Sequence, residues 1–211
     1  MNREDDIHEA AKRFVSRYIR RRKPRRLHTT RTELSLADIY DRPQVTDHKP
    51  KGIWYGIADS WIDWCISENF GGIHQYIYEV IVDETRILKI DNIPDFEKFE
   101  DAHNDIPEWR KQLREAEGLP TFDFHLPPML SRTRYFDSMN YGKVAETFGG
   151  IEITPYQWDK RLESMWYYGW DCASGCIWNP NAIKDLRLFA YYDPRQGDFI
   201  KTSLQPDKIE V

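Results

Sequence analysis

The chain has 211 residues, of which 40% are apolar, 14% aromatic and 31% charged, and it carries a formal net charge of -5. That balance excludes an intrinsically disordered chain and fits one domain with a hydrophobic core of its own. No run of about 18 apolar residues occurs, and the opening residues are too charged for the apolar centre of a signal peptide, so a soluble, cytoplasmic protein with no membrane segment is expected.

Residues 1–25 read as a basic amphipathic helix that precedes the main body, 26–211. Ile7, Ala11, Phe14, Val15 and Tyr18 recur at helical spacing, and Arg13, Arg17, Arg20 and Arg21 fill the rest of the circumference. Pro24 ends the helix, because it has no N–H to donate and disfavours helical geometry in the residue before it. Residues 12–26 hold nine cations and no acid, which leaves about -14 on the rest of the chain. Two readings follow for this basic end: a docked helix with a solvated charged face, or a phosphate contact to nucleic acid through Arg17, Arg20, Arg21 and Arg22.

Further along, 26–30 reads as a short strand and 34–40 as a short helix or turn. A polar, proline-bounded loop delivers the chain into a strand at 53–56, and Asp59 or Ser60 is a suitable N-cap for a helix carrying Trp61, Trp64 and Cys65. Segments 73–82 and 86–90 are rich in β-branched and aromatic residues around Asp83-Glu84-Thr85 and read as a hairpin. Helices are expected at 95–102 and 107–117, an ordered loop at 119–134, and a whole or partial helix at 136–148. Strands follow at 150–154 and 175–178, with a helical or loop insertion at 155–167 between them and a last strand pair at 183–192. Strands outnumber long helices, so the fold class is α+β in a single domain.

The chemistry concentrates in the aromatic run Gly52-Ile53-Trp54-Tyr55-Gly56, followed by Ser60 and Trp64-Cys65. Indoles around a serine form a wall for a flat polar ring. Upstream stands Leu27-His28-Thr29-Thr30, a histidine followed closely by small hydroxyl residues. Together these motifs resemble the ADP-ribosyltransferase fold family, nearest to its histidine-containing branch, which includes the poly(ADP-ribose) polymerases.

The resemblance implies a split β-sheet core with peripheral helices and NAD as substrate. It implies that His28 holds the adenine-side ribose with support from Thr30. It further implies that Gly52 and Trp54 belong to the nicotinamide strand, that Trp54 and Trp64 flank the ring, and that Ser60 binds its carboxamide. Residues 76–90 would supply middle strands, and 150–153 with 175–178 the closing ones. The family's third motif, a glutamate opening a late strand, falls on Ser174, which has no carboxylate. Asp171 and Glu152 are the two acids that could replace it.

The resemblance thus implies a mono-ADP-ribosyltransferase-like enzyme, or an NAD glycohydrolase, that moves ADP-ribose to a nucleic acid or a protein. By analogy it would act as a bacterial toxin or a factor in phage conflict, with a neutralising protein partner. The alternatives are a non-catalytic module of the same fold that binds NAD, ADP-ribose or nucleic acid, and an unrelated α+β nucleic-acid-binding protein.

Other sites are disfavoured by residue type and spacing. Cys65, Cys172 and Cys176 are too few for a disulfide framework, and the Cys172 to Cys176 spacing with no neighbouring histidine does not suit zinc. Cys65 as a nucleophile, with His28 or His74, is less common than a buried structural thiol. Asp59 and Asp63 fit a solvated helix start, where acids favour the dipole. No phosphate-binding loop or dinucleotide glycine fingerprint is present.

Overall fold

A computed structural model describes residues 3–19, 24–105 and 138–202. The expected helix at 107–117, the loop at 119–134 and Arg20, Arg21 and Arg22 lie outside the described residues.

Helix α1 (Arg3–Tyr18) forms where the apolar spacing places it. Its stripe of Ile7, Ala10, Ala11, Phe14 and Val15 is buried in one core with Leu27, Ile62, Ile77 and Phe189. Phe14 packs edge-on to Phe189 at 5.6 Å and against Phe199 at the same distance. The basic flank is partly committed as well: Arg17 Nη1 lies 2.9 Å from Asp198 Oδ2, and Arg13 donates to the Gly197 carbonyl. The helix therefore docks by its apolar face, and Arg17 makes an intramolecular pair.

Eleven strands are described: β1 (Arg26–Thr30), β2 (Thr46–Asp47), β3 (Ile53–Ile57), β4 (Tyr76–Val82), β5 (Ile87–Ile90), β6 (Asn104–Asp105), β7 (Ser138–Asn140), β8 (Gly150–Ile153), β9 (Ser174–Ile177), β10 (Ile183–Asp193) and β11 (Asp198–Lys201). Eight of them form one sheet in the order β11-β10-β4-β1-β3-β9-β8-β5, and β2, β7 and β6 form a small second sheet. With helices α2 (Ser60–Ser67), α3 (Ile93–His103), α4 (Tyr141–Ala145) and α5 (Met165–Tyr168) on the sheet's periphery, the class is α+β, as expected. Among the described residues, no helix is long and apolar enough to cross a membrane.

The hairpin expected between 73–82 and 86–90 does not form. Both sides of β4 are already taken, by β1 (Leu27↔Glu79) and by β10 (Ile183↔Val82). At Asp83 the chain turns away from the sheet: the Asp83 N–H donates to the Ala182 carbonyl, and its side chain accepts from the Thr85 N–H to open a 3-10 turn. Strand β5 then joins the far edge, parallel to β8 (Ile87↔Gly150, Ile90↔Ile153), so it is not a middle strand. Strands β8 and β9, expected to close the sheet, instead lie inside it, β9 next to β3 and β8 between β9 and the edge strand β5. The last segment is one long strand, β10, whose hairpin partner is β11. Of the expected helix at 136–148, the described part from 138 on is only partly helical, a short strand followed by α4.

The central seam is what positions the site. Strands β1 and β3 pair only at Arg26↔Ile57 and Leu27↔Gly56, while β3 pairs along its length with β9, from Ile53↔Ile177 to Gly56↔Ser174. On one face lies a second core of Phe96, Trp166, Tyr167, Trp170 and Trp178 with Ile151 and Ile153.

Candidate functional site

Beyond the Leu27↔Gly56 pair the backbones of β1 and β3 are no longer hydrogen-bonded to each other, and a side chain spans the gap. His28 Nδ1 lies 2.6 Å from the Trp54 carbonyl oxygen. A carbonyl can only accept, so Nδ1 carries the proton and Nε2 holds the lone pair in the neutral ring. Burial holds the imidazole below its ordinary pKa, so the neutral ring is the form present at neutral pH.

A cleft of about 450 Å³ opens at this seam. It is lined by His28 and Thr29 from β1, Trp54 and Gly56 from β3, Trp61 from α2, the Phe70-Gly71-Gly72 turn, and Trp170, Asp171 and Ser174 on the approach to β9. The walls are aromatic on two sides. Trp54 meets Trp170 edge-on with ring centroids 4.8 Å apart, and Trp61 meets Phe70 edge-on at 5.9 Å. Arg31 and Lys49 add positive charge to the lining. A concave, mostly aromatic site with a few converging polar groups is the usual form of a small-molecule site.

Two glycines make this packing possible. A Cβ on Gly56 would come within 2.7 Å of the Trp61 Cβ, and one on Gly72 within 2.6 Å of the Trp61 ring. Helix α2 can therefore lie close on β3, and the 70–72 turn can cover Trp61. The strand-to-helix turn passes through Ala58, whose φ of 53° is left-handed and unfavourable for a residue with a Cβ. Its N–H donates to the Arg25 carbonyl, which anchors the turn to the start of β1. Thr29 Oγ1 donates to the Gly72 carbonyl and ties the 70–72 turn to β1.

The expected site residues divide between the cleft and its surroundings. His28, Trp54, Asp171 and Ser174 are brought together there. Thr30 lies at the end of β1 outside the lining, where its hydroxyl accepts from the Thr32 N–H, and Thr29 takes the cleft position. Gly52 is also outside: its backbone abuts β9, so that a Cβ would fall 2.1 Å from the Ile177 carbonyl oxygen.

Ser60 does not face the cleft. Its hydroxyl donates to the Ala173 carbonyl at 2.7 Å, a strap from the start of α2 to the segment entering β9. Trp64 stacks on the back of Trp61, 5.2 Å away and 16° from parallel, so Trp61 is the indole of α2 that lines the cleft.

Of the two acids, Asp171 lines the cleft and Glu152 does not. Glu152 stands opposite Gly175, shares the Tyr55 face of the sheet and is buried there. Arg26 Nε approaches its Oε2 at 2.5 Å and the Tyr55 hydroxyl donates to the same oxygen at 3.0 Å, so this candidate acid is held in a buried ion pair away from the cleft. Asp171 is half-buried, and burial raises its pKa above the ordinary carboxylate value while Lys49 and Arg161 act to lower it. Ser174 is buried beside it, its hydroxyl donating to the Cys172 carbonyl at 2.9 Å.

The thiols are not activated. Burial pushes Cys172 up to about 11 and Cys65 up to about 12, so both are protonated at neutral pH. No group of three His, Cys, Asp or Glu side chains is placed to hold a metal ion among the described residues.

No family model, curated protein or solved structure matches this chain.

Sequence reading missed Trp61 as the cleft-facing indole, and with it Phe70, Gly71, Gly72, His74, Arg31 and Lys49. One local signal was available for some of them. Phe70-Gly71-Gly72 directly follows the aromatic helix and precedes His74, as a tight backbone approach beside a polar side chain requires.

Proposed function

We propose that the cleft binds NAD and that the protein is an ADP-ribosyltransferase-like enzyme. The observation that carries this reading is the approach of His28 to Trp54 across the open seam, with Asp171 and Ser174 beside them in one aromatic cleft. Two separate sequence motifs, suggested by a family resemblance, thereby share a binding surface.

The parts suit the ligand chemically. A neutral imidazole with its Nε2 lone pair accepts from a ribose hydroxyl. The two aromatic walls shelter a flat ring by stacking, at about 0.5–1.5 kcal/mol for each ring pair, and Arg31 and Lys49 match a pyrophosphate. Breaking the bond between ribose C1′ and the nicotinamide nitrogen sends the bonding pair to the leaving nicotinamide and leaves an oxocarbenium-like centre. The Asp171 carboxylate is the cleft's candidate to stabilise that charge. An acceptor hydroxyl or amine, or water, then bonds to C1′ and loses its proton. The acceptor in this reading is a macromolecule, nucleic acid or protein.

One observation favours a second reading. The hydroxyl of Ser174 stands where the resemblance calls for a glutamate, so a module that binds NAD without cleaving it is the alternative.

Nicotinamide release from NAD by the purified protein, beside a His28→Ala control, tests both. Release that the control lowers supports the enzyme, and binding without release supports the module. Failure of the folded protein to bind NAD at all overturns both.

A further inference from the structure

Phe70 differs from the other aromatic residues of the cleft. Trp54 and Trp61 are partly buried and Trp170 is buried, whereas Phe70 lines the cleft and is still 49% exposed. Its ring contacts are with α2: it meets Trp61 edge-on at 5.9 Å and Trp64 at 5.2 Å with a 59° tilt. Half of its surface is left uncovered at the rim.

The backbone holds the ring in that place. Asn69 leaves α2 with a left-handed φ of 50°, which asparagine tolerates better than most residues. The Phe70 N–H then donates to the Cys65 carbonyl at 2.8 Å, and the Gly72 N–H donates to the Phe70 carbonyl at 2.8 Å. The Gly72 carbonyl accepts from Thr29 Oγ1 at 2.9 Å and from Trp61 Nε1 at 3.3 Å. A Cβ on Gly72 would come within 2.9 Å of Phe70 Cδ1, so the turn closes tightly on the ring. A lone exposed aromatic is ordinary on a protein surface. One pinned by its own turn at the mouth of an aromatic cleft is a preorganised stacking face, because little of its freedom remains to be lost on binding.

NAD carries two flat rings, and the inner indoles Trp54 and Trp61 account for the nicotinamide. Thr29, which ties down the 70–72 turn, adjoins His28, to which the resemblance assigns the adenine-side ribose. One glycosidic bond joins that ribose to adenine. We infer that Phe70 is the stacking residue for the adenine ring at the rim of the cleft, and so a determinant of specificity at that end of the ligand. This rests on the NAD reading, through the ribose assigned to His28.

The test is calorimetric binding of NAD, AMP and nicotinamide mononucleotide to the full chain, for the wild type, Phe70→Leu and Phe70→Tyr. Leucine keeps an apolar contact with Trp61 but has no aromatic face; tyrosine keeps both. Phe70→Leu is expected to bind NAD and AMP roughly 2- to 10-fold more weakly, with nicotinamide mononucleotide unaffected and Phe70→Tyr like the wild type. A merely structural role would weaken all three ligands alike, and that result overturns the inference. Unchanged NAD and AMP affinities in folded Phe70→Leu also overturn it. In the wild-type complex, nuclear Overhauser contacts between the adenine protons and the Phe70 ring are expected, and their absence overturns the inference with no variant needed. A wild type that binds AMP but not NAD overturns the NAD reading, and the AMP comparison still decides the place of Phe70. A folded wild type that binds none of the three overturns both.

Discussion

The His28 ring bridges β1 to the Trp54 carbonyl at 2.6 Å, where the two strands cease to pair through their backbones. One side chain thus does two things: it closes the seam with its Nδ1–H and presents Nε2 as an acceptor. The sign of its pH dependence follows. Burial lowers the folded-state pKa of His28, so the stability it contributes is present above the ordinary histidine value and is lost as pH falls through the lowered one. Protonation also converts Nε2 from acceptor to donor.

NAD affinity is therefore expected to be level at neutral and higher pH and to fall on acidification below the ordinary histidine range. Calorimetric titration at a series of pH values measures this. His28→Ala should weaken binding by roughly 3- to 10-fold, the loss of about one hydrogen bond. An affinity unchanged by that substitution would remove His28 from the site.

Trp61 and Trp64 stack on each other, but only Trp61 lines the cleft. Trp61→Ala should cost NAD binding about 1 kcal/mol or more, from lost stacking. Ser60→Ala should leave affinity as it is and lower stability by about 1 kcal/mol, through loss of the bond to the Ala173 carbonyl. Equilibrium binding and urea denaturation on the same variants separate the two effects. A large loss of affinity in Ser60→Ala would restore the carboxamide role that its sequence position suggests.

Asp171 and Glu152 are expected to respond in opposite ways. Glu152→Ala leaves the Arg26 Nε and the buried Tyr55 hydroxyl without their acceptor, with Arg26 still paired to the exposed Glu84, and should destabilise the fold by about 1–3 kcal/mol. For Asp171, the folded pKa is raised, so the stability linked to its protonation is present below the ordinary carboxylate value and lost as pH rises through the folded one. Asp171→Asn should thus melt no lower than the wild type at neutral pH while nicotinamide release is lost. Thermal melts of both variants, read beside turnover, decide which acid serves the site.

Phe14 is fully buried against Phe189 and Phe199. Phe14→Ala should cost about 3–5 kcal/mol of stability, the usual loss for a buried aromatic ring. A loss of less than about 1 kcal/mol by urea denaturation would mean that α1 is an appended arm and not a part of the core.

The aromatic motif strand, its histidine-bearing neighbour and the amphipathic first helix were legible in the sequence, because each is written in local spacing. The apolar stripe on α1 predicted its buried face, and Leu27-His28-Thr29-Thr30 formed a strand where expected. The partner of β5 was not legible. Ile87 and Ile90 mark a buried strand, but their spacing does not say which neighbour it joins, and β4 had both sides filled by strands distant in sequence.

The same distinction holds for the site. Helical periodicity put Trp61 and Trp64 side by side, and the residue types marked Asp171, Ser174 and Glu152 as polar positions near late strands. Whether Ser60 pointed inward and which acid remained available were decided by chain segments more than a hundred residues away: the Ala173 carbonyl drew Ser60, and Arg26 drew Glu152. Period along a chain fixes which residues share a face. Only the long-range pairing of strands, set by competition for hydrogen bonds and buried surface, fixes what each face meets.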